Sequence, residues 1–281
     1  TFDLIVDSMS ALRKLARQIS QFDGVQLIYD GTVSFMRSVF PAVLISRFFG
    51  KSVELGYYPA RSVEKIPAVH YKIMTFCSNV IVGTRYMQRE LARRKVKSDV
   101  KMPPIDLSSY PVRTITEVQP RLVVVYDGTE DSAKLCAMLA FYLVQQKYPR
   151  TELTIAMSEA NNEKMPDQIL ELLQSGISLS VNLKNESYAK EFGQSDIFLN
   201  CSYLETAPLE LLAAMAMGLP SISFETYGAR EIIENGTNGF LIRHNDHSQL
   251  ADRIIELIEN RELVSKVSTE AAKIRAKFSV L

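Results

Sequence analysis

The residues with the clearest chemical potential lie in a polar turn between a predicted strand and a predicted helix. Residues 196–201 form a short and mostly apolar run, which predicts a short buried strand. Residues 209–217 predict a helix that is apolar on every side except at Glu210, and such a helix is buried. Glu205 lies in the turn between them. Because the N–H groups at the amino end of a helix bind anions, the turn predicts an anion site with a carboxylate beside it.

The two ends of this helix carry residues that start and stop helices. Thr206 can act as the N-cap, and Pro208 fits the first turn, where a backbone N–H would lack a partner. Gly218 follows the last helical residue, and Pro220 cannot continue a helix. The stretch therefore predicts a strand, a tight turn and a helix, the repeating unit of an open α/β sheet.

The sequence from Ser202 to Pro220 resembles the donor-site segment of the retaining glycosyltransferases of family 4, which have the GT-B fold. That family has two glutamates here, separated by seven residues; Glu205 matches the first, and Ala213 stands in place of the second. In the family the first glutamate lies by the donor sugar, the next backbone amides hold its diphosphate, and the second glutamate binds the ribose. The resemblance therefore implies a catalytic role for Glu205. It implies donor binding by the residues that follow, which are Thr206, Ala207, Pro208 and Leu209.

Two alternatives remain open at this segment. The first is an ordinary αβ unit of a Rossmann-like domain, in which Glu205 is favoured at the helix start only by the helix dipole. The second concerns Glu210, which lies nearly one turn before Ala213 and could reach the ribose in place of the missing glutamate. Glu210 is therefore a further candidate for donor binding, with a solvated edge position as the alternative.

A second group of candidate residues follows the strand predicted at 122–126. The family has a Gly-Arg pair here, with a lysine five residues beyond the arginine. Gly128 matches the glycine and Lys134 the lysine, whereas Thr129 replaces the arginine. The resemblance implies that Lys134 is catalytic, by binding the departing diphosphate, and that Gly128 and Thr129 line the donor site. The alternative for Lys134 is an exposed lysine on an ordinary helix.

Composition and cysteine usage limit the class of protein. The 281 residues are 47% hydrophobic and 23% charged, which is typical of a soluble globular protein. No apolar run approaches the roughly 20 residues that cross a bilayer. The three cysteines are isolated and lack metal-ligand spacing, which indicates a reducing compartment. We therefore expect a cytoplasmic protein without a metal. The resemblance implies that the nucleoside-diphosphate sugar is a substrate and that no cofactor is needed.

Strand and helix patterns alternate along the whole chain, which predicts α/β domains with parallel sheets. A proline-rich stretch without periodicity separates two such regions. We predict an acceptor-side domain at 1–104, a linker at 105–120 and a nucleotide-sugar-binding domain at 121–281. The resemblance implies a GT-B-like fold, two Rossmann-like domains facing a cleft, with the first domain truncated or reduced.

Charge is divided unevenly between the two halves. Residues 1–104 hold 16 Lys and Arg against 8 Asp and Glu, and residues 105–281 hold 16 against 24. Family resemblance implies that a basic helix face in the first half meets an anionic membrane surface or a lipid-phosphate acceptor, which would place the protein peripherally on the inner face of a membrane. That face comprises Arg89, Arg93, Arg94 and Lys95. The alternative is a solvated helix face, and nucleic acid is disfavoured because no aromatic-basic interleaving occurs.

Together, these features predict a retaining glycosyltransferase that moves a hexose from a nucleoside-diphosphate sugar to a glycan or lipid-linked acceptor. The alternative is a non-catalytic, glycosyltransferase-like subunit that binds or stabilises a partner. A sugar-nucleotide epimerase is weaker, because the segment after Ser202 matches the transferase pattern. A dehydrogenase is disfavoured, because no Gly-x-Gly-x-x-Gly follows a predicted strand.

Overall fold

The computed structural model describes residues 9–29, 34–59, 66–103, 105–126, 131–158, 177–183, 185–203 and 207–278. The chain divides into two compact units. Unit 1 comprises Thr1–Pro103 with Leu204–Ala207, and unit 2 comprises Pro104–Tyr203 with Pro208–Leu281. The domain boundaries given by the sequence pattern stay predictions.

Unit 1 is a parallel sheet with helices between its strands. Its described strands are β1 (Gly24–Tyr29), β2 (Ser52–Tyr57), β3 (Asn79–Val82) and β4 (Asp99–Val100), in the spatial order β1-β2-β3-β4. The helices are α1 (Met9–Ser20), α2 (Val39–Phe48), α3 (Ala68–Met74) and α4 (Arg85–Arg93). The buried core lies on the strands and the facing helix sides, with Val53, Leu55 and Met87 fully enclosed.

Predicted and observed elements of unit 1 agree in type and differ at the ends. The helix predicted at 35–49 begins only at Val39, because residues 35–38 form turns. β4 has two residues, too few to give a periodic signal, and the sequence pattern missed it. The strand predicted at 2–6 lies outside the described residues.

Unit 2 is a larger parallel sheet. Its described strands are β5 (Arg121–Tyr126), β6 (Glu152–Ser158), β7 (Ile177–Leu183), β8 (Ile197–Asn200), β9 (Ser221–Phe224) and β10 (Phe240–Ile242). Their spatial order is β7-β6-β5-β8-β9-β10, and all pairs are parallel. The chain thus builds outward in one direction from β5 to β7 and then in the other from β8 to β10. The point where the order reverses lies between β5 and β8.

Seven helices are described in unit 2. They are α5 (Asp131–Lys147), α6 (Asn185–Gln194), α7 (Leu209–Ala216), α8 (Tyr227–Ile232), α9 (His247–Glu259), α10 (Arg261–Ala272) and α11 (Arg275–Phe278). The helix predicted at 166–174 lies outside the described residues. The prediction of two parallel-sheet α/β domains is confirmed.

The long terminal helix predicted at 262–278 is wrong in its second half. α10 ends at Ala272, and a turn precedes α11. The turn brings Arg275 to the segment 107–110. There its guanidinium donates to the carbonyl oxygens of Leu107 (2.7 Å) and Tyr110 (2.6 Å). These bonds join residues far apart in sequence, so helical periodicity gives no sign of them.

Residues of the predicted linker, 105–120, lie within unit 2 and pack into its core. Ile115 and Val118 are buried in its core. The backbone N–H of Arg113 donates to the carbonyl oxygen of Met217 (2.7 Å), and that of Ile115 donates to the hydroxyl of Ser268 (2.8 Å). This stretch therefore holds the carboxyl end of α7 against α10.

Candidate functional site

The candidate site lies where the strand order of unit 2 reverses. β5 and β8 are hydrogen-bonded neighbours, with Val124 opposite Leu199. β5 ends at Tyr126 and β8 ends at Asn200, so both chains leave the sheet at the same edge. Ligands of open α/β sheets bind outside the carboxyl ends of the strands at such a reversal. The two segments singled out in the sequence therefore begin at adjacent strands.

The structure locates the candidate residues of these two segments only through the described residues on either side of them. Gly128, Thr129, Glu205 and Thr206 lie outside the described residues. Lys134 belongs to the first turn of α5, and its side chain is likewise outside the description. Their roles in donor binding and catalysis stay predictions.

The helix α7 presents its amino end at this edge. Ala207 is half-buried, Pro208 is buried, and the Pro208 carbonyl oxygen accepts the N–H of Leu212 (3.0 Å). The prediction that Thr206 is the N-cap is wrong, because the helix begins at Leu209 and Pro208 holds the N-cap position without a side-chain hydrogen bond. The first N–H groups of any α-helix lack intrahelical acceptors, so those from Leu209 onward can bind an anion.

Burial of α7 follows the prediction. Its residues from 211 to 216 are all buried, and Glu210 is half-buried. Ala213, at the position of the second family glutamate, is only 1% exposed. A methyl group therefore occupies a closed position where the family has a carboxylate.

Glu210 lies beside Tyr110. Burial raises the pKa of the Tyr110 hydroxyl to about 12, and the negative charge of Glu210 adds to this effect. The Glu210 carboxylate is thus close enough to act on Tyr110. The contact of Glu210 with a ribose stays a prediction.

The carboxyl end of α7 is fixed by a close backbone approach. Gly218 has a φ of +85°, which favours glycine, and a Cβ at this position would lie 2.1 Å from the carbonyl oxygen of Arg113. The hydroxyl of Ser268 donates to the carbonyl oxygen of Gly218 (2.7 Å). These contacts determine where the opposite, amino end of α7 meets the site.

An ion pair at the amino edge of the sheet holds β5 and β8 together. Arg121 donates to both carboxylate oxygens of Asp196 (2.8 and 2.9 Å), and the Asp196 side chain is only 4% exposed. Arg113 lies 3.9 Å from the same carboxylate and donates to the carbonyl oxygens of Phe192 and Ser195. The pairing fixes the two strands whose other ends form the candidate site.

Sequence reasoning missed an aromatic group at the carboxyl edge. The ring of Tyr203 stacks on His244 (centroids 5.1 Å apart) and packs against Phe224 (5.5 Å). The hydroxyl oxygen of Tyr203 is buried and forms no hydrogen bond in the described structure. The three residues end or follow β8, β9 and β10, and that position after a strand is the signal that could have revealed them.

The basic face predicted on unit 1 is partly neutralised. Glu90 forms ion pairs with Arg93 and with Arg94 (3.1 Å for the latter), and the Arg94 guanidinium lies 4.4 Å from the ring centroid of Tyr71. Arg89 and Lys95 are exposed. Membrane contact through these residues stays a prediction.

The described residues contain neither a candidate metal site nor a candidate membrane-spanning helix. No group of three or more His, Cys, Asp or Glu residues among them could hold a metal ion. None of their helices combines the length and the apolar character that crossing a membrane requires.

Comparison with known proteins matches part of the chain to one family. The family described as glycosyl transferases group 1 matches residues 136–274. The poly(glycerol-phosphate) alpha-glucosyltransferase of Bacillus subtilis is 29% identical over 145 residues, which are 51% of this chain and 21% of that protein. The chain thus spans about a fifth of the length of this relative.

Solved structures of glycosyltransferases share the fold over nearly the whole chain. A TarM variant from S. aureus, in complex with Fondaparinux, alpha-GlcNAc-glycerol and UDP, has a TM-score of 0.75 at 17% identity, covering 96% of this chain and 56% of TarM. A glycosyltransferase from Rickettsia africae also has a TM-score of 0.75, at 16% identity, covering 99% of this chain and 80% of that one. The structural neighbours are GT-B glycosyltransferases, so the predicted GT-B-like class is confirmed. The family match over residues 136–274 and the GT-B neighbours together support a group 1 glycosyltransferase.

Proposed function

We propose that the protein is a retaining glycosyltransferase, of the family 4 type, that moves a hexose from a nucleoside-diphosphate sugar to a glycan or lipid-linked acceptor. The observation that carries the proposal is the adjacency of β5 and β8 at the reversal of the strand order. Both segments with donor-site resemblance start there, and the amino end of α7 follows the second. The UDP bound to the TarM variant supports a nucleoside diphosphate as the ligand class.

The chemistry requires that negative charge be accommodated on the departing diphosphate. Backbone N–H groups at the amino end of α7 are preorganised donors for it, and they need no reorientation during the reaction. Lys134, in the first turn of α5, would supply a positive charge to the same diphosphate. Glu205 would lie against the donor sugar, while Gly128 and Thr129 would allow the diphosphate to approach the end of β5. No metal is needed in this arrangement.

A calorimetric titration of the full-length protein with UDP, GDP and their sugar conjugates tests the proposal. We expect one diphosphate to bind, and Glu205→Gln to abolish most turnover while leaving diphosphate affinity within a few-fold. Lys134→Ala should weaken diphosphate binding by about tenfold, since a hydrogen bond to a charged group contributes roughly 1.5–3 kcal/mol. The anomeric configuration of the first product, read by NMR, tests retention. A protein that binds no nucleoside diphosphate would contradict the proposal.

A non-catalytic, glycosyltransferase-like subunit is the second candidate, and a specific observation favours it. Ala213 occupies a buried position where the family has the glutamate that binds the ribose, and Thr129 stands where the family has an arginine. Losing a charge-assisted hydrogen bond weakens binding by about one to two decades. Loss of an arginine at the developing diphosphate slows the chemical step by about 100- to 1,000-fold, by analogy with removal of an oxyanion donor.

The pair Thr129→Arg and Ala213→Glu separates the two candidates. In a degenerate site both changes should tighten donor binding, singly and together. Ala214→Glu is the matched control for the second change, because Ala214 is as buried as Ala213 and lies on a different side of α7. If the unchanged protein turns over donor at an ordinary rate and both changes lower that rate, the site has compensated and the subunit hypothesis is excluded.

A further inference from the structure

The segment 107–113 contacts the helix α7 near both of its ends. At the carboxyl end, the backbone N–H of Arg113 donates to the carbonyl oxygen of Met217 (2.7 Å). At the amino end, Tyr110 lies close enough to Glu210, in the first turn, for the negative charge of Glu210 to act on its hydroxyl. Three residues of extended chain span about 10 Å, and a helix rises about 10 Å between Glu210 and Met217. The segment is therefore long enough to run beside α7 from one end to the other.

Tyr110 is held in place through both its backbone and its ring. The guanidinium of Arg275 donates to the carbonyl oxygens of Tyr110 and Leu107, and the N–H of Tyr110 donates to the same oxygen of Leu107 (3.0 Å). The ring of Tyr110 packs against Phe192 (centroids 6.3 Å apart), which in turn packs against Phe198 of β8 (5.1 Å). Tyr110 is only 6% exposed. Its hydroxyl is therefore a fixed group beside the first turn of α7.

The Glu210 carboxylate is attracted by two sets of donors. The first set is the N–H groups at the amino end of α7, which lack intrahelical acceptors and attract a carboxylate in the first turn. Under the proposed function these same groups bind the diphosphate, so a carboxylate that occupied them would compete with it. The second donor is the Tyr110 hydroxyl, which stays protonated at neutral pH because burial raises its pKa to about 12. The position of Glu210 therefore affects the affinity for the diphosphate.

We propose that Tyr110 is a positioning residue for donor binding, whose hydroxyl holds the Glu210 carboxylate beside the segment 107–113 and so keeps the N–H groups at the amino end of α7 available to the diphosphate. This inference rests on the proposed function. It gives Glu210 a role other than contact with the ribose, and the two roles predict opposite effects of removing its charge. Loss of a ribose ligand weakens donor binding, whereas loss of a competing carboxylate strengthens it.

A double-mutant cycle with Tyr110→Phe and Glu210→Gln tests the inference, by calorimetric titration of the full chain with UDP and with GDP. Tyr110→Phe keeps the ring and removes the hydroxyl. It should weaken diphosphate binding by about three- to fivefold, the size of a charge interaction at a helix terminus. Glu210→Gln should strengthen binding by about two- to threefold, because it removes a negative charge near the diphosphate. In the Glu210→Gln background, Tyr110→Phe should have no further effect, because no carboxylate remains to compete.

Tyr188→Phe is the matched control. Tyr188 is also 6% exposed, and its ring packs against the same Phe192 (centroids 6.0 Å apart). Loss of its hydroxyl should leave diphosphate affinity unchanged, with or without Glu210→Gln. Circular dichroism of each variant checks that the fold is intact.

Urea unfolding of the same variants measures the interaction of Tyr110 with Glu210 without any ligand. Tyr110→Phe should lower the unfolding midpoint by more in the unchanged background than in the Glu210→Gln background. Tyr188→Phe should lower the midpoint equally in both backgrounds. Equal effects of Tyr110→Phe in the two backgrounds would show that Tyr110 does not hold Glu210, and would overturn the inference whatever the nucleotides do.

Two results of the titration would overturn the inference while the proposed function stands. One is binding that weakens equally on Tyr110→Phe with and without Glu210→Gln, which indicates a general structural effect. The other is weaker binding in Glu210→Gln alone, the result expected if Glu210 binds the ribose. Binding of neither UDP nor GDP to the unchanged protein would contradict the proposed function itself, and the inference with it.

Discussion

Replacing Gly218 by alanine tests whether the carboxyl end of α7 fixes the helix that forms the candidate site. An added Cβ would lie 2.1 Å from the carbonyl oxygen of Arg113 and 3.3 Å from the hydroxyl oxygen of Ser268. The nearer atom belongs to the backbone, so it cannot rotate away as the tip of a side chain would. The segment around Arg113 must move, or α7 must shift.

The expected loss of stability follows from these contacts. A left-handed backbone costs a non-glycine residue about 1–2 kcal/mol. The shift also weakens the hydrogen bonds from Arg113 N–H to Met217 (2.7 Å) and from the Ser268 hydroxyl to Gly218 (2.7 Å), each contributing about 1 kcal/mol. We expect Gly218→Ala to lower the free energy of unfolding of unit 2 by about 3–4 kcal/mol.

Gly236→Ala is the matched control. Gly236 has a similar φ of +79°, but no atom lies within 4 Å of where its Cβ would be. Urea unfolding followed by far-ultraviolet circular dichroism should show a loss of only about 1–2 kcal/mol for this variant. Both glycines lie in unit 2, so both variants should shift the unfolding transition of unit 2. Equal losses in the two variants would refute the claim that the approach of Arg113 fixes α7.

Two further predictions concern an ion pair and a buried histidine. Arg121→Gln should destabilise unit 2 by about 1–2 kcal/mol in urea unfolding; the value is modest because Arg121 is partly exposed. The control is Lys147→Gln, at the exposed ion pair with Glu259, which should have no measurable effect. Burial lowers the pKa of His70 below 6.5, so the unfolded chain binds its proton more readily. The stability of unit 1 should therefore fall as pH drops below about 6.5, and His70→Gln should remove that part of the slope; an unchanged slope would contradict the assignment.

The sequence was sufficient where local signals agree. The strand β8 and the helix α7 were both predicted, because an apolar run, a proline and a glycine mark their limits within 25 residues. Gly218 illustrates this well, since the residue that ends the helix pattern is also the one that approaches Arg113. The parallel order of strands followed from their alternation with helices.

Features that depend on distant residues were not predictable. Ile115 donates to Ser268 across 153 positions, and no local pattern connects them. The stack of Tyr203 on His244 arises only because β8 and β10 end at the same edge. Thr206 was predicted as the N-cap from its residue type alone, but the helix starts after Pro208.

Hydrogen exchange measured with and without UDP tests the central claim, that the donor diphosphate binds at the carboxyl ends of β5 and β8 and at the amino end of α7. Mass spectrometry of peptides from the full chain reports the backbone N–H groups directly. We expect UDP to slow exchange in peptides that cover 127–134 and 202–212, and to leave α10 and α11 unchanged. Calorimetric binding of UDP with protection elsewhere, and none in these two segments, would contradict the account.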